Sequence, residues 1–343
     1  MKIACVNYQP ITLYREQGWS KERLSQYYNP CDVADEVAVF AYDDVDWEIS
    51  ESVYVLGWND STRLFMMTRD FRPDIIRCYE ANYPFCIIAA SIARSLRIPS
   101  YLSLHDRRKI DHLRVNELRR YSVITAYNES LRKAVSGWMG REVELQLNGV
   151  DENLFKPDEA LVGEARGKFH VFTVGRDDPV KNIPDMMRAT DILDERLGGG
   201  KVIHIIAGPG LGSMGSEHIH FFTGNTSERD IVKYLNWCDC LFMVQTVPDL
   251  GFAQTEPLFV GKPVVVPFAE GGGTGVLDGR TARFVPMDKV HDPEYMADVL
   301  YDCLTSEFDP VFIRNFAIEN FSASVWRKKE ADRYCRFSRK KTG

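Results

Sequence analysis

Val171-Phe172-Thr173-Val174-Gly175-Arg176-Asp177-Asp178-Pro179-Val180-Lys181-Asn182 is the stretch on which the fold turns. A β-branched and aromatic run stops at a glycine and opens into a polar, proline-bearing turn. That is the pattern of a buried strand, a tight exit and the start of a helix. Gly175 lets the backbone turn sharply and approach a ligand, Arg176 offers a planar donor fork, and Lys181 brings a point charge one loop later. Backed by the next helix N-terminus, these groups suit a diphosphate. Taken alone, Gly-Arg-x4-Lys is equally the pattern of a surface ion pair.

The same strand-and-helix alternation extends in both directions, which predicts an α/β fold with parallel sheets covered by helices. Upstream, strands are expected at 2–6, 36–41, 74–78, 100–104 and 123–126, with helical spacing over Lys21–Tyr28 and Ile87–Leu96. The Asn29-Pro30 and Ile98-Pro99 steps end those helices, because the residue before proline is pushed out of the α region. A second series follows the turn Asn148-Gly149-Val150-Asp151, with strands expected at 170–174, 201–207, 220–223, 240–244, 263–266 and 281–285. Two Rossmann-like domains are therefore predicted, 1–150 and 151–320, with 321–343 a terminal helix crossing back to the first.

Composition narrows the partners. The 343 residues carry 42 Lys plus Arg against 49 Asp plus Glu, a formal charge of -7, so no chain-wide basic footprint for nucleic acid exists. No apolar run reaches the roughly 18 residues a membrane span needs. The N-terminus enters a strand at once, without a charged n-region or cleavage site, so a cytoplasmic protein is expected. The eight cysteines are scattered, with Cys238 and Cys240 alternating about Asp239, and the seven histidines form no zinc-like cluster. Neither metal nor cofactor is expected. Charge is unevenly spread: 30–60 is acidic, whereas 94–141 and the end from Arg327 to Lys341 are basic. The basic stretches read either as solvated helix faces or as a surface meeting anionic lipid or phosphate, that is, a peripheral membrane contact.

Ligands in open α/β sheets bind at the carboxyl ends of strands, so the other strand exits matter. Ala207-Gly208-Pro209-Gly210-Leu211-Gly212 is glycine-rich but has no Gly-Lys-Ser/Thr ending and no clean Gly-x-Gly-x-x-Gly, which counts against a P-loop enzyme or a dehydrogenase. Thr223-Gly224-Asn225-Thr226-Ser227-Glu228 closes a strand and opens a capped helix. Asp249-Leu250-Gly251-Phe252-Ala253-Gln254-Thr255-Glu256 reads as a loop and then a short helix starting near Glu256. Backbone N–H groups around Gly251 suit an anion, and Glu256 suits vicinal hydroxyls or, more plainly, the helix dipole.

The order of these pieces resembles the family 4 retaining glycosyltransferases. The motifs are Asn148-Gly-Val-Asp151 with Phe155-Lys-Pro157, Gly175-Arg176 to Lys181, Glu256 to the Gly261-Lys-Pro-Val-Val segment, and Asp278-Gly-Arg-Thr-Ala-Arg-Phe-Val-Pro286. The resemblance covers nearly the whole chain and is strongest over 146–286. It implies a B-type fold of two facing Rossmann-like domains and sugar transfer with retention in the cleft, without an obligatory metal. The donor, a nucleotide-diphosphate sugar, is held mainly by the C-terminal domain, and the N-terminal domain takes a glycan, lipid-linked or other hydroxyl acceptor.

By motif, Arg176 and Lys181 would neutralise the leaving diphosphate, with Gly175 beside them. Glu256 would bind the ribose, and Gly224 and Asn225 would lie near the base. Gly251, Phe252 and Thr255 would line the donor, Gly18 would approach its phosphates, and His105 would sit close to its sugar. The family's paired glutamates are separated by seven residues. A gapless match puts Pro248 where the first belongs, beside Asp249, and the alternative matches Gly251 to Thr255 with a two-residue deletion, so the first acid is either absent or replaced by Asp249. Gln17-Gly18-Trp19 replaces the usual double glycine of the first loop. Acceptor contacts are expected from 77–83 and 107–114. Two other readings compete: a nucleotide-sugar epimerase using Glu80, His105 and Asp106, and a degenerate homologue that binds without turnover.

Overall fold

Strands covered by helices on both faces call for near-continuous apolar runs, and both halves of this chain supply them. In the computed structural model, residues 1–16, 19–105, 110, 115–147, 149–158, 167–210, 219–223, 226–270 and 272–339 are described. The chain divides into two units, Met1–Leu147 with Ser324–Gly343, and Asn148–Ala323.

Unit 1 carries β1 (Lys2–Asn7), β2 (Glu36–Tyr42), β3 (Trp47–Ser50), β4 (Val53–Trp58), β5 (Ile75–Tyr79), β6 (Ser100–Leu104), β7 (Val123–Ala126) and β8 (Glu144–Leu145). The sheet order is β3-β4-β2-β1-β5-β6-β7-β8, parallel except for the antiparallel β3–β4 pair at one edge. Side chains two apart share a face. Ala4 and Val6 of β1 join Phe40 and Leu102 on one side, whereas Ile3 and Cys5 join Val39 and Tyr101 on the other. Helices Ser61–Phe71, Phe85–Leu96 and Glu129–Met139 cover the first face. The helix Lys21–Tyr28 covers the second, together with Tyr334 and Phe337 of the terminal helix Ala323–Arg339.

That terminal helix is pinned by charge as well as by apolar packing. Arg77, on β5, is 1% exposed; it donates to the Tyr334 hydroxyl at 2.7 Å and to Ser103 at 3.1 Å, and pairs with Glu330 at 3.1 Å. Its guanidinium also lies 4.0 Å from the Tyr79 ring centroid. Glu330, fully buried, accepts from Tyr101 at 2.8 Å and from Arg333. Arg333 in turn reaches Glu144 at 3.0 Å and Gln146 at 2.9 Å. Burial alone would disfavour charge on Arg77, but Glu330 outweighs it and holds the guanidinium protonated.

This cluster corrects two expectations. Arg77 and Tyr79 are interior groups and do not contact an acceptor, and Arg333 does not belong to a basic surface. Arg336 is tied to Glu144 at 2.9 Å and Arg132 to Glu129 at 2.6 Å. Residues 107–109, 111–114, 340 and 341 lie outside the described residues.

Unit 2 carries β9 (Phe169–Val174), β10 (Val202–Gly208), β11 (Ile219–Thr223), β12 (Cys240–Phe242), β13 (Val264–Phe268) and β14 (Ala282–Pro286), ordered β11-β10-β9-β12-β13-β14. All neighbours in this sheet are parallel. Relative to the first strand the order is 3-2-1-4-5-6, the Rossmann order, and it reverses between β9 and β12. Unit 1 reverses in the same way between β1 and β5. Among the described residues no helix is long and apolar enough to cross a membrane.

Candidate functional site

At the reversal between β9 and β12 the two loops leave in opposite directions and open a crevice at the strand ends. Gly175 follows β9 and donates its N–H to Ala207 at 2.9 Å. The exit of β10 runs so close that a Cβ at Gly208 would lie 2.0 Å from the Gly175 carbonyl oxygen, so only glycine fits there.

Arg176 is an exposed group, with 60% of its side chain accessible, and its Nε and Nη2 donate to Asp178 Oδ2 at 3.2 and 3.0 Å. The other Asp178 oxygen accepts from the Val180 N–H at 3.0 Å and shapes the short turn Pro179–Lys181. Such an exposed ion pair contributes about 0–1 kcal/mol, so the guanidinium can exchange Asp178 for a phosphate at little cost.

Lys181 is half-buried, and its Nζ donates to Gln245 Oε1 at 3.2 Å. Gln245 leaves β12 on the opposite side of the reversal and is 4% exposed. The next backbone is joined as well, with Thr246 N–H donating to Val180 at 2.9 Å. Asn182, in left-handed conformation at φ 55°, spans the gap to Val244 and Val290 with its amide nitrogen, at 3.2 and 2.6 Å. The helix Ile183–Arg196 starts immediately after it.

The loop after β12 ends in the helix Phe252–Phe259, which begins four residues earlier than expected. Gln254 explains the shift: its Oε1 accepts from the Gly251 N–H at 2.9 Å, closing the first turn. Glu256 therefore sits inside the helix, half-buried, and is not a dipole partner at its start. Thr255 is 4% exposed and gives its hydroxyl to the Gly251 and Phe252 carbonyls at 3.2 and 3.1 Å. Phe252 is 38% exposed at the first helical position. Asp249 is half-buried, and its carbonyl accepts from the Gln245 and Gln254 amides at 2.9 and 3.4 Å. The neighbouring Pro248 carbonyl accepts from Gly273 at 2.7 Å, joining this loop to the glycine-rich exit of β13.

Gly175, Arg176 and Lys181 thus lie together on the exit of β9; Gln245 links Lys181 to the Asp249 carbonyl, and Gln254 links that carbonyl to Gly251. Gln245 and Gln254 escaped the sequence reading. Their only signal was an amide at a strand exit and another three residues after a glycine. Gly18, Gly224 and Asn225 lie outside the described residues.

His105 stands in unit 1, one residue past β6. Its N–H donates to Glu80 at 3.1 Å, and its ring lies nearly parallel to Tyr127 at 6.2 Å. Glu80 is 6% exposed, holds a left-handed φ of 72°, and also accepts from the Ala81 N–H at 2.9 Å. Such a backbone costs of order 1–3 kcal/mol and clusters at functional sites. Tyr14 lies within electrostatic reach of Glu80, and burial pushes its hydroxyl up to about 12. Among the described residues no group of three His, Cys, Asp or Glu could hold a metal ion.

The sequence matches no protein-family model and no curated protein. Solved structures do match. HepE from Anabaena, in complex with UDP-glucose, has a TM-score of 0.75 at 16% identity, covering 98% of this chain and 99% of that one. A glycosyltransferase from Rickettsia africae ESF-5 has a TM-score of 0.71 at 12% identity, covering 98% of each chain. Sucrose-phosphate synthase from Thermosynechococcus elongatus has 0.69 at 13%, again covering 98% of each. At such identities the likeness establishes the fold alone, the B-type glycosyltransferase fold with its Rossmann-like units.

Proposed function

We propose that this chain is a retaining glycosyltransferase that moves a sugar from a nucleotide-diphosphate donor to a glycan, lipid-linked or other hydroxyl acceptor. The observation that carries this reading is the placement of Arg176 and Lys181 on the exit of β9, at the reversal of the Rossmann order, where an open sheet binds its ligand. Breaking the sugar–phosphate bond leaves negative charge on the diphosphate and an oxocarbenium-like sugar. The largest catalytic need is therefore fixed positive charge at the leaving group, which the two cations supply.

Unit 2 takes the nucleotide, with Glu256 accepting from the ribose hydroxyls and Gly251 and Phe252 beside the donor. Asp249 stands in for the first acid of the pair. Unit 1 takes the acceptor and contributes His105 to the sugar. The departing phosphate accepts the acceptor's proton, so no carboxylate nucleophile is assigned and no metal is required. That HepE was crystallised with UDP-glucose supports a nucleotide-sugar donor here.

The test is a thermal-shift screen of UDP, GDP, ADP, CMP and dTDP and their sugars, followed by turnover of whatever binds. A ligand at about 100 times its dissociation constant stabilises by about 2.7 kcal/mol, a clear shift. Arg176→Ala and Lys181→Ala are each expected to lose on the order of 100-fold in turnover, about 3 kcal/mol. Wild-type rates in both would sink the clamp. Binding without product across the donor panel would point to the degenerate homologue, and isomerised donor without transfer to the epimerase.

A further inference from the structure

Gln245 is the interior group through which the two sides of the unit 2 crevice meet. Its Oε1 accepts from Lys181 Nζ at 3.2 Å, and its Nε2 donates to the Asp249 carbonyl at 2.9 Å. An ammonium only donates and a carbonyl only accepts, so the amide has one orientation that satisfies both. Glutamate would accept from Lys181 but repel the Asp249 oxygen, and an apolar residue would serve neither. The side chain is 4% exposed, and burial keeps the link away from competing water. Gln254, 1% exposed, holds the same Asp249 carbonyl and closes the helix start at Gly251.

We propose that Gln245 is a positioning residue for the diphosphate: it holds the Lys181 ammonium at the β9 exit and ties that position to the Asp249–Gly251 loop. This rests on the reading that Lys181 meets a nucleoside diphosphate. An uncharged partner matters as much as a well-placed one, because an amide orients the lysine without cancelling its charge. A carboxylate in the same place would compete with the phosphate for it.

Isothermal titration of the full chain with UDP, GDP and ADP, at two salt concentrations, tests this. Gln245→Glu is expected to weaken the tightest of the three on the order of tenfold and to flatten its salt dependence. In a Lys181→Met background the same change is expected to do nothing further. Gln245→Asn keeps the amide but falls one methylene short of spanning both partners, and is expected to weaken binding less than Gln245→Glu. It also carries the test should the glutamate variant not fold. Wild-type affinity in the folded Gln245 variants, with Lys181→Met weakened, overturns this role and leaves the functional reading standing. Equal losses from Gln245→Glu with and without Lys181 overturn it too, since Gln245 would then act through another group. If none of the three nucleotides binds the wild-type chain, or if Lys181→Met binds as well as wild type, the functional reading falls and this role with it.

Discussion

Arg77 and Arg176 both lie at a reversal of strand order, and they do opposite things. Arg77 sits within β5, two residues before the strand ends, and its guanidinium enters the core against Glu330 and Tyr334. Arg176 sits two residues past the end of β9, exposed, against a carboxylate it can leave. A shift of a few residues along the chain decides whether the cation faces the interior or the crevice. The partner then decides what the charge is for: a buried pair fixes structure, whereas an exposed one remains available to a ligand.

The widest separation between the two is expected in stability. Arg77→Met leaves Glu330 buried with only Tyr101 and Arg333 and should cost about 3–5 kcal/mol in urea unfolding. Replacing Glu330 by Met as well should recover much of that loss, because the buried carboxylate that has lost one of its two cations is gone and Arg333 keeps Glu144. Little recovery in the double variant would mean that Arg77 acts through its ring and hydroxyl contacts, and the contrast would have to be redrawn around packing.

Next in size comes the reverse experiment on unit 2. Arg176→Ala and Lys181→Ala, expected to lose about 100-fold in turnover, should each shift unfolding by only about 1 kcal/mol or less. A large loss of stability in either would erase the distinction.

The smallest effect is one of pH, and it also separates the units. In unit 2 the His170 ring, packed on Trp237, is held below its ordinary value mainly by burial, with Asp239 opposing. The unfolded chain therefore binds the extra proton first, and this contribution to stability is lost as pH falls through about 6.5. In unit 1 burial would raise Glu144, but Arg333 and Arg336 outweigh it and hold it low. Its contribution survives until pH falls below about 4.3. Thermal melts across pH 7 to 4 should show unit 2 softening first, and His170→Gln should remove that early step. Simultaneous softening in wild type would break the comparison.

What was legible in the sequence follows from the same physics. Strands buried on both faces leave continuous apolar runs, so the parallel strands other than β4 and the two-residue β8, and the helix Lys21–Tyr28, could be read directly. The β3–β4 pair was not legible, because its alternation, with Val53 and Val55 inside and Tyr54 and Leu56 partly out, is short and interrupted by the acidic residues around it. At the site, the cations after β9 stood out because glycine and proline mark the exit. Gln245, Gln254 and the strained Glu80 did not, since their hydrogen bonds close across loops. The role of Arg77 was the least legible, because the Tyr334 hydroxyl it bonds is 257 residues away.

That last distance bears on how the chain comes to be folded. Unit 2 is one uninterrupted segment, whereas unit 1 takes its final helix from the far side of it. During synthesis from the N-terminus, the first sheet can assemble around Arg77 long before Glu330 leaves the ribosome, and until then that arginine has no counter-ion to bury against. Unit 2, although made second, has all its parts first. The first unit thus becomes fully stable only once unit 2 and the helix that carries Glu330 have been translated.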